Sequence, residues 1–170
     1  MAYKRDLDNV LEYLGDMSSD ARLWIFQSER ELSPQDERAI EEHLGNFLSQ
    51  WTSHNRALLA KGAVAYGHFI IIALDESKSS AASGCSIDAM THQIQGISKA
   101  LGLNLMDRTT FYFLKQGKLE GIHMNQLSEA FSNEAVSYET RVFNNLVKQK
   151  SDLQDQWLVP LEQSWHKRFV

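Results

Sequence analysis

The sequence is short of the residues that most often build disulfide and metal sites. It contains one cysteine, Cys85, and two prolines among 170 residues. A single cysteine excludes an internal disulfide framework and a cysteine-rich zinc site, and it fits a reducing compartment. The six histidines show no His-Glu-x-x-His or other metal-ligand spacing. We therefore expect neither a metal nor another cofactor.

Long apolar runs and an excess of positive charge are also missing. The longest apolar run, Phe69–Leu74, is far shorter than the roughly 20 residues of a membrane-spanning helix. The Met1–Arg30 region lacks the apolar core of a secretory signal. The net charge is -5, and the only clusters of basic residues are short, whereas general nucleic-acid binding needs a basic surface. We expect a soluble, cytoplasmic protein that binds neither membranes nor nucleic acids.

Periodic apolar residues mark the secondary structure of a chain that is 43% hydrophobic, enough to bury one main core. One amphipathic helix begins after Ser33, a good N-cap that is followed by proline. A second helix carries an apolar stripe at spacings of three and four and ends near Gly102. Four strand-like runs accompany these helices: Arg22–Gln27, Ala57–Tyr66, Phe69–Asp75 and Thr109–Leu114.

The order of these elements is strand, helix, strand, strand, helix, strand. This order predicts an α+β protein with a ferredoxin-like β-α-β-β-α-β core. We assign the core and a short N-terminal helix to residues 1–114, and a C-terminal α/β lobe that packs on the core to residues 115–170. Helices cover one face of such a sheet, yet the central strands lack the polar alternation of a solvent-exposed face. The lobe or a second subunit should therefore cover the other face.

The segment Ser77–Asp88, called the Ser/Gly segment below, joins an apolar strand to the second helix and contains the only cysteine. Backbone N–H groups at a helix N-terminus favour an anion or a thiolate. Cys85 is therefore the candidate catalytic nucleophile, and a small anion is the candidate ligand. The candidate ligand-binding residues are Lys78, Ser83, Gly84, Ser86, Asp88 and His92.

The same residues have simpler interpretations. Cys85 and His92 are seven residues apart on one helix, or about 10 Å, too far for a nucleophile and its base. Asp88 and His92 have the spacing of an ordinary surface pair, and Cys85 also suits a small packing residue.

Three parts of the sequence carry a resemblance to a known family. They are Leu23–Gln27, Ser83–Asp88, and Val142–Val147 with Trp165-His166. Together they resemble a bacterial family without an established activity whose members are commonly labelled ABC transporter ATPase. An ATPase of that class needs a Gly-x-x-x-x-Gly-Lys-Ser/Thr loop to bind phosphates. The sequence contains no such string, so we exclude ATP hydrolysis.

A fainter resemblance links Phe111–Val147 to small peptide-binding modules of the GYF type. It rests on Phe111-Tyr112-Phe113, Gly117 and Thr140–Phe143. Those modules carry a Gly-Pro signature, whereas Gly121 is followed here by Ile122.

Two functions follow from the sequence. The first is a binding or assembly module that forms a homo-oligomer or binds a protein partner, because the apolar sheet and the small residues Ala89, Gly96 and Ala100 on the second helix favour an interaction surface. The alternative is a small enzyme or redox-responsive protein that uses Cys85. An inert thiol supports the module, whereas a pocket at Ser83–Ser86 with a base from another element supports the enzyme.

Overall fold

The computed structural model describes residues 5–170, so residues 1–4 of the predicted core lie outside the described part of the chain. The chain combines helices with antiparallel sheets, which confirms the α+β class. It divides into two compact units. The first unit is formed by the described chain up to Asp107 together with Lys148–Ser151, and the second by Arg108–Val147 and Asp152–Val170.

The bounds of the elements in the described residues are as follows. The helices are α1 (Leu7–Tyr13), α2 (Pro34–Gln50), α3 (Gly84–Leu101), α4 (Leu127–Ser132) and α5 (Lys150–Asp152). The strands are β1 (Arg22–Gln27), β2 (Thr52–Ser53), β3 (Arg56–Ala57), β4 (Ala60–Ala65), β5 (Phe69–Leu74), β6 (Thr110–Lys115), β7 (Lys118–His123), β8 (Arg141–Phe143) and β9 (Leu158–Pro160). Single turns of 3₁₀ helix span Met124–Gln126, Leu161–Gln163 and Trp165–Phe169, and a π-helical turn spans Leu153–Trp157.

β5 is the central strand of the sheet in the first unit. The strand order is β1-β5-β4, and both pairs are antiparallel. Ile70, Ile72 and Leu74 belong to a core cluster that also contains apolar residues of α2 and α3. Phe69, Ile71 and Ala73 alternate with them along the strand and are equally buried. Both faces of β5 are therefore covered, as its unbroken apolar sequence predicts.

The helices of this unit begin and end where the sequence predicts. The side chain of Ser33 accepts a hydrogen bond from the Asp36 N–H, and the Asp36 side chain accepts one from the Ser33 N–H. Gly102 ends α3 in the left-handed conformation, with φ of 63°, which glycine adopts without strain. The buried residues of α2 and α3 are Ile40, Leu44, Leu48, Ser86, Met90, Ile94 and Ile97.

The predicted fourth strand of the ferredoxin-like sheet lies elsewhere. β6 belongs to the sheet of the second unit and does not pair with β1. Gln116 and Gly117, both with positive φ, turn the chain directly from β6 into β7. A tight turn makes pairing with the next segment easy, and this local hairpin takes up one edge of β6. The prediction that Thr109–Leu114 completes the first sheet is therefore wrong.

The edge of β1 is covered by another part of the chain. The Leu23 N–H donates to the Lys148 carbonyl at 2.9 Å, and the Lys150 N–H donates to the Ala21 carbonyl at 2.8 Å. At the other end of the strand, the Asp107 N–H donates to the Gln27 carbonyl at 3.3 Å. These bonds pair backbone groups that an edge strand otherwise leaves free.

The predicted strand Ala57–Tyr66 is interrupted. β2 and β3 form a short hairpin around His54 and Asn55, which both have positive φ, and β4 begins only at Ala60. The turn before β5 spans Tyr66–His68, with positive φ at Tyr66 and Gly67, so it includes the predicted Gly67-His68 pair.

The second unit is built on a sheet with the order β7-β6-β8-β9. Phe111 and Phe113 of β6 lie in its core cluster with Leu127, Val142 and Leu161. Tyr112 lies on the opposite face of β6 and pairs with Gly121 of β7. A Cβ atom on Gly121 would lie 2.8 Å from Cε1 of Tyr112, so this glycine makes room for the tyrosine ring.

A buried histidine belongs to the aromatic packing of this unit. The ring of His166 stacks on Trp165, with 4.2 Å between centroids, and meets Phe111 edge to face at 4.3 Å. Its Nδ1 atom lies 2.6 Å from the hydroxyl of Ser164. Burial lowers the pKa of His166 from 6.5 to about 4, because the charged ring loses its hydration.

We predict that acid destabilises the protein through His166. Between its unfolded and folded pKa values, the unfolded state binds more protons, so stability falls as the pH drops below 6.5. The free energy of unfolding in urea should be about 2 kcal/mol lower at about pH 5 than at about pH 7.5. His166→Gln, which does not titrate, should remove this part of the pH dependence, and His92→Gln should leave it. An unchanged slope in His166→Gln would contradict the assignment.

Candidate functional site

The Ser/Gly segment begins beside a buried carboxylate at the end of β5. Asp75 is fully buried and accepts hydrogen bonds from the Ser18 N–H at 2.7 Å, the Ser77 N–H at 3.1 Å and the Ser77 hydroxyl at 2.5 Å. Burial raises the pKa of Asp75, but these hydrogen bonds and the Lys78 ammonium at 4.0 Å outweigh it and hold the pKa below its ordinary value. A charged Asp75 therefore organises the start of the segment.

Other donors of the segment are also bound to groups of the first unit. The Ala82 N–H donates to Oε2 of Glu76 at 3.1 Å. The Lys78 ammonium donates to the carbonyl of Asp16 at 2.5 Å. The carboxylates of Asp75 and Glu76 thus use donors that an external anion would need.

Two serines, Ser83 and Ser86, cap the start of α3. The Ser83 hydroxyl accepts from the Ser86 N–H at 3.2 Å, and the Ser86 hydroxyl accepts from the Ser83 N–H at 2.7 Å. This reciprocal arrangement is a capping box. It uses the N–H of Ser86, one of the backbone groups at the helix N-terminus that were predicted to bind an anion.

The structure brings only some of the predicted site residues together. Ser83, Gly84 and Ser86 meet at the start of α3. Cys85, Asp88 and His92 are exposed on the helix, and no hydrogen bond or ion pair within residues 5–170 joins Asp88 to His92. The catalytic assignment of Cys85 and the ligand-binding assignments, including Lys78, stay predictions.

A pocket that was not predicted from the sequence lies in the first unit, at the edge of β4 that pairs with no other strand among residues 5–170. Its volume is about 290 Å³, close to the lower end of the range of ~300–1,000 Å³ for ligand pockets. Its walls come from α2, β4 and the chain around α1. We call it the edge pocket, and the lining residues used below are Arg5, Tyr13, Glu41, Gly45, Lys61 and Gly62.

The backbone of β4 presents hydrogen-bonding groups at this edge. The Val64 N–H donates to Oε1 of Glu41 at 3.3 Å, so it points away from β5. Alternate residues of an antiparallel strand point their backbone groups to the same side, so the N–H and carbonyl of Gly62 also point outward. Ala63, opposite Ile71 in the register, points toward β5. The edge pocket therefore has an outward-facing backbone donor and acceptor in its wall.

Two cations and an aromatic ring lie around these groups. Cζ of Arg5 is 5.1 Å and Nζ of Lys61 is 5.0 Å from the centroid of the Tyr13 ring, within the range of cation–π attraction. Arg5 also donates to Oε1 of Glu41 at 2.6 Å. Lys61 donates to the Tyr13 carbonyl at 3.0 Å and to the Asp16 carboxylate at 2.6 Å. The pocket thus combines positive charge with a flat apolar surface.

A strained residue holds Arg5 at the pocket. Tyr66 has a φ of 53°, a left-handed conformation that costs a bulky residue about 1–3 kcal/mol. Its N–H donates to the Arg5 carbonyl at 2.7 Å, and its hydroxyl accepts from the Leu7 N–H at 3.1 Å. These two bonds fix the backbone on either side of Asp6 and so place the guanidinium.

Gly45 keeps one wall of the pocket open. It lies within α2, where glycine is less favourable than alanine by about 1 kcal/mol. A Cβ atom built on Gly45 meets nothing within 4 Å, so packing does not require glycine here. A glycine in an amphipathic helix was the one sequence signal of this pocket. Arg5, Glu41 and Lys61 come together only through the fold.

We predict that Asp75 is the main support of the Ser/Gly segment. Asp75→Asn weakens hydrogen bonds to a charged acceptor, so the free energy of unfolding should fall by about 1.5–3 kcal/mol. Asp88→Asn, at an exposed position of α3, should change it by less than about 0.5 kcal/mol. Urea unfolding of both variants measures the difference. Equal effects would mean that the segment is held by other contacts.

The described part of the chain lacks both a cluster of metal ligands and a membrane-spanning helix. Within residues 5–170, no group of three or more His, Cys, Asp or Glu side chains is placed to hold a metal ion. Over the same residues, no helix is both long and apolar enough to cross a membrane. Protein-family models, curated proteins and solved structures give no match to this chain.

Proposed function

We propose that this chain is a non-catalytic binding module and that the edge pocket is its ligand site. The observation that carries the proposal is the outward-facing backbone of Gly62 in the wall of a formed pocket. An unpaired strand edge is a general recognition element, because it offers hydrogen bonds to any extended partner. Arg5, Lys61 and Tyr13 add charge and an apolar surface beside it.

Two energetically unfavourable residues at the edge pocket support a binding role. Tyr66 is strained in a conformation that places Arg5, and Gly45 weakens α2 without any packing requirement. Unfavourable residues that converge on one pocket are typical of functional sites. At the Ser/Gly segment, hydrogen bonds within the first unit satisfy many of the polar groups.

The small-enzyme alternative rests on Cys85 alone. Its thiol is exposed, and no residue in the described part of the chain hydrogen-bonds to it. A nucleophile needs a base within about 3 Å, so the geometry favours binding over catalysis. The assembly role suggested by the small residues of α3 remains a prediction.

We also infer that the first unit is a variant of the ferredoxin-like arrangement. The order β1-β5-β4 matches the order of the first, third and second strands in that fold. Gln149 pairs with Arg22 of β1 in the antiparallel sense, so Lys148–Ser151 stands in the place of a fourth strand.

The binding proposal predicts that small molecules perturb one region of the protein. In amide NMR spectra of the full chain, a set of small acids, amines and neutral amides should contain compounds that shift the Gly62 and Gly45 signals saturably. Gly45→Met should abolish these shifts, because its side chain enters the pocket. Methionine favours helix more than glycine does, so this variant should fold normally.

Gly96→Met is the matched control, because Gly96 also lies within a helix and a Cβ there meets nothing within 4 Å. It should keep the shifts. If saturable shifts appear at Ser83–Ser86 instead, the Ser/Gly segment is the site and the proposal fails. If no compound shifts Gly62, the proposal also fails.

A further inference from the structure

We propose that the edge pocket recognises a free carboxylate that is joined to an amide, the chemistry of a free N-acyl amino acid and of the C-terminal residue of a peptide. This inference rests on the proposed function of the pocket and adds its ligand class. The protein already holds one carboxylate at the same strand edge, that of Glu41.

Glu41 displays how an oxyanion binds at this edge. Its Oε1 atom accepts one hydrogen bond from the outward N–H of Val64 at 3.3 Å and another from the Arg5 guanidinium at 2.6 Å. One backbone N–H and one cation therefore hold one carboxylate, and charge-assisted bonds of this kind are the strong ones.

A second pairing of an outward backbone N–H with a cation occurs at Gly62, two residues before Val64 on β4. The N–H of Gly62 points outward like that of Val64, and it has no partner among the described residues. The ammonium of Lys61 lies beside the Tyr13 ring in the same pocket. This second pair faces the pocket and fits the carboxylate of a ligand.

The present partner of Lys61 is easily displaced. Asp16 lies 2.6 Å from the Lys61 ammonium, but its side chain is 73% exposed. An exposed ion pair contributes little to stability because water screens it. A ligand carboxylate that also accepts the Gly62 N–H makes one bond more than Asp16 does, so it can compete with Asp16 for Lys61.

The strand edge also selects for an adjacent amide. The carbonyl of Gly62 points to the same side as its N–H and accepts a hydrogen bond from an amide N–H, as in the addition of a strand to a sheet. Glu41 already takes the next outward N–H, that of Val64. In this antiparallel pairing the residues that precede the carboxylate of the ligand run toward Val64. A longer strand therefore cannot form along this edge, and the pocket favours a short ligand.

The experiment is an amide NMR titration of the full chain with matched probes. N-acetylvaline carries both the amide and the carboxylate, N-acetylvalinamide lacks the charge, and acetate lacks the amide. N-acetylvaline should shift the Gly62 signal saturably, with an affinity at least about tenfold above that of either comparison compound. An N-acetylated tetra-alanine with a free carboxylate separates the two sources: tighter binding than N-acetylvaline indicates a peptide end, and weaker binding indicates a small acyl amino acid.

Two pairs of variants make the test specific. Lys61→Gln should lower the affinity for N-acetylvaline at least about fivefold, because it removes the cation but keeps a hydrogen-bond donor. Arg30→Gln removes an exposed cation paired with Asp36 outside the pocket and should leave binding unchanged. Gly45→Met should abolish binding, and Gly96→Met should not.

The outcomes separate this inference from the proposal beneath it. If N-acetylvalinamide binds as tightly as N-acetylvaline, or if only compounds without a carboxylate shift Gly62, the inference is wrong and the edge pocket remains the binding site. If Lys61→Gln binds N-acetylvaline unchanged, the role of the cation is wrong. If no probe of any class shifts the Gly62 signal, both the carboxylate inference and the proposed binding function of the edge pocket are wrong.

Discussion

The burial of β5 on both faces is the constraint on which the first unit depends. β5 also pairs through its backbone with a strand on each side, so it is the centre of the sheet and β1 and β4 are the two edges. The edge of β1 is paired with Lys148–Ser151 and with Asp107. Within the described residues, the edge of β4 is closed only in part, by the side chain of Glu41. This difference between the two edges places the candidate binding site at β4.

Carboxylates accept backbone hydrogen bonds both at the Ser/Gly segment and at the edge pocket. Asp75 and Glu76 accept hydrogen bonds from the Ser/Gly segment and leave it well satisfied. Glu41 accepts the Val64 N–H at the edge of β4 but leaves the neighbouring Gly62 facing the pocket. Satisfied polar groups stabilise a loop, whereas an outward-facing donor beside two cations is available to a partner. The second arrangement is the one that suits recognition.

The sequence predicted what depends on neighbouring residues and missed what depends on distant ones. The cap at Ser33, the stop at Gly102 and the apolar stripes are local signals, and each was confirmed. The predicted pairing of β6 with the first sheet was wrong because both edges of β6 have other partners: β7 follows it through the turn at Gln116-Gly117, and β8 pairs with its other edge. The edge pocket was missed because its ion pairs join residues 36 and 45 positions apart in the chain.

Hydrogen exchange at two adjacent amides of β4 measures whether this edge is open to a ligand. A binding site at this edge needs the Gly62 N–H to face the pocket while the Ala63 N–H bonds to β5. In the full chain without ligand, the Gly62 amide should exchange at least about a thousandfold faster than the Ala63 amide, because the latter is freed only when the sheet opens. Similar protection of the two amides would mean that the edge of β4 is closed, which would contradict a binding site there.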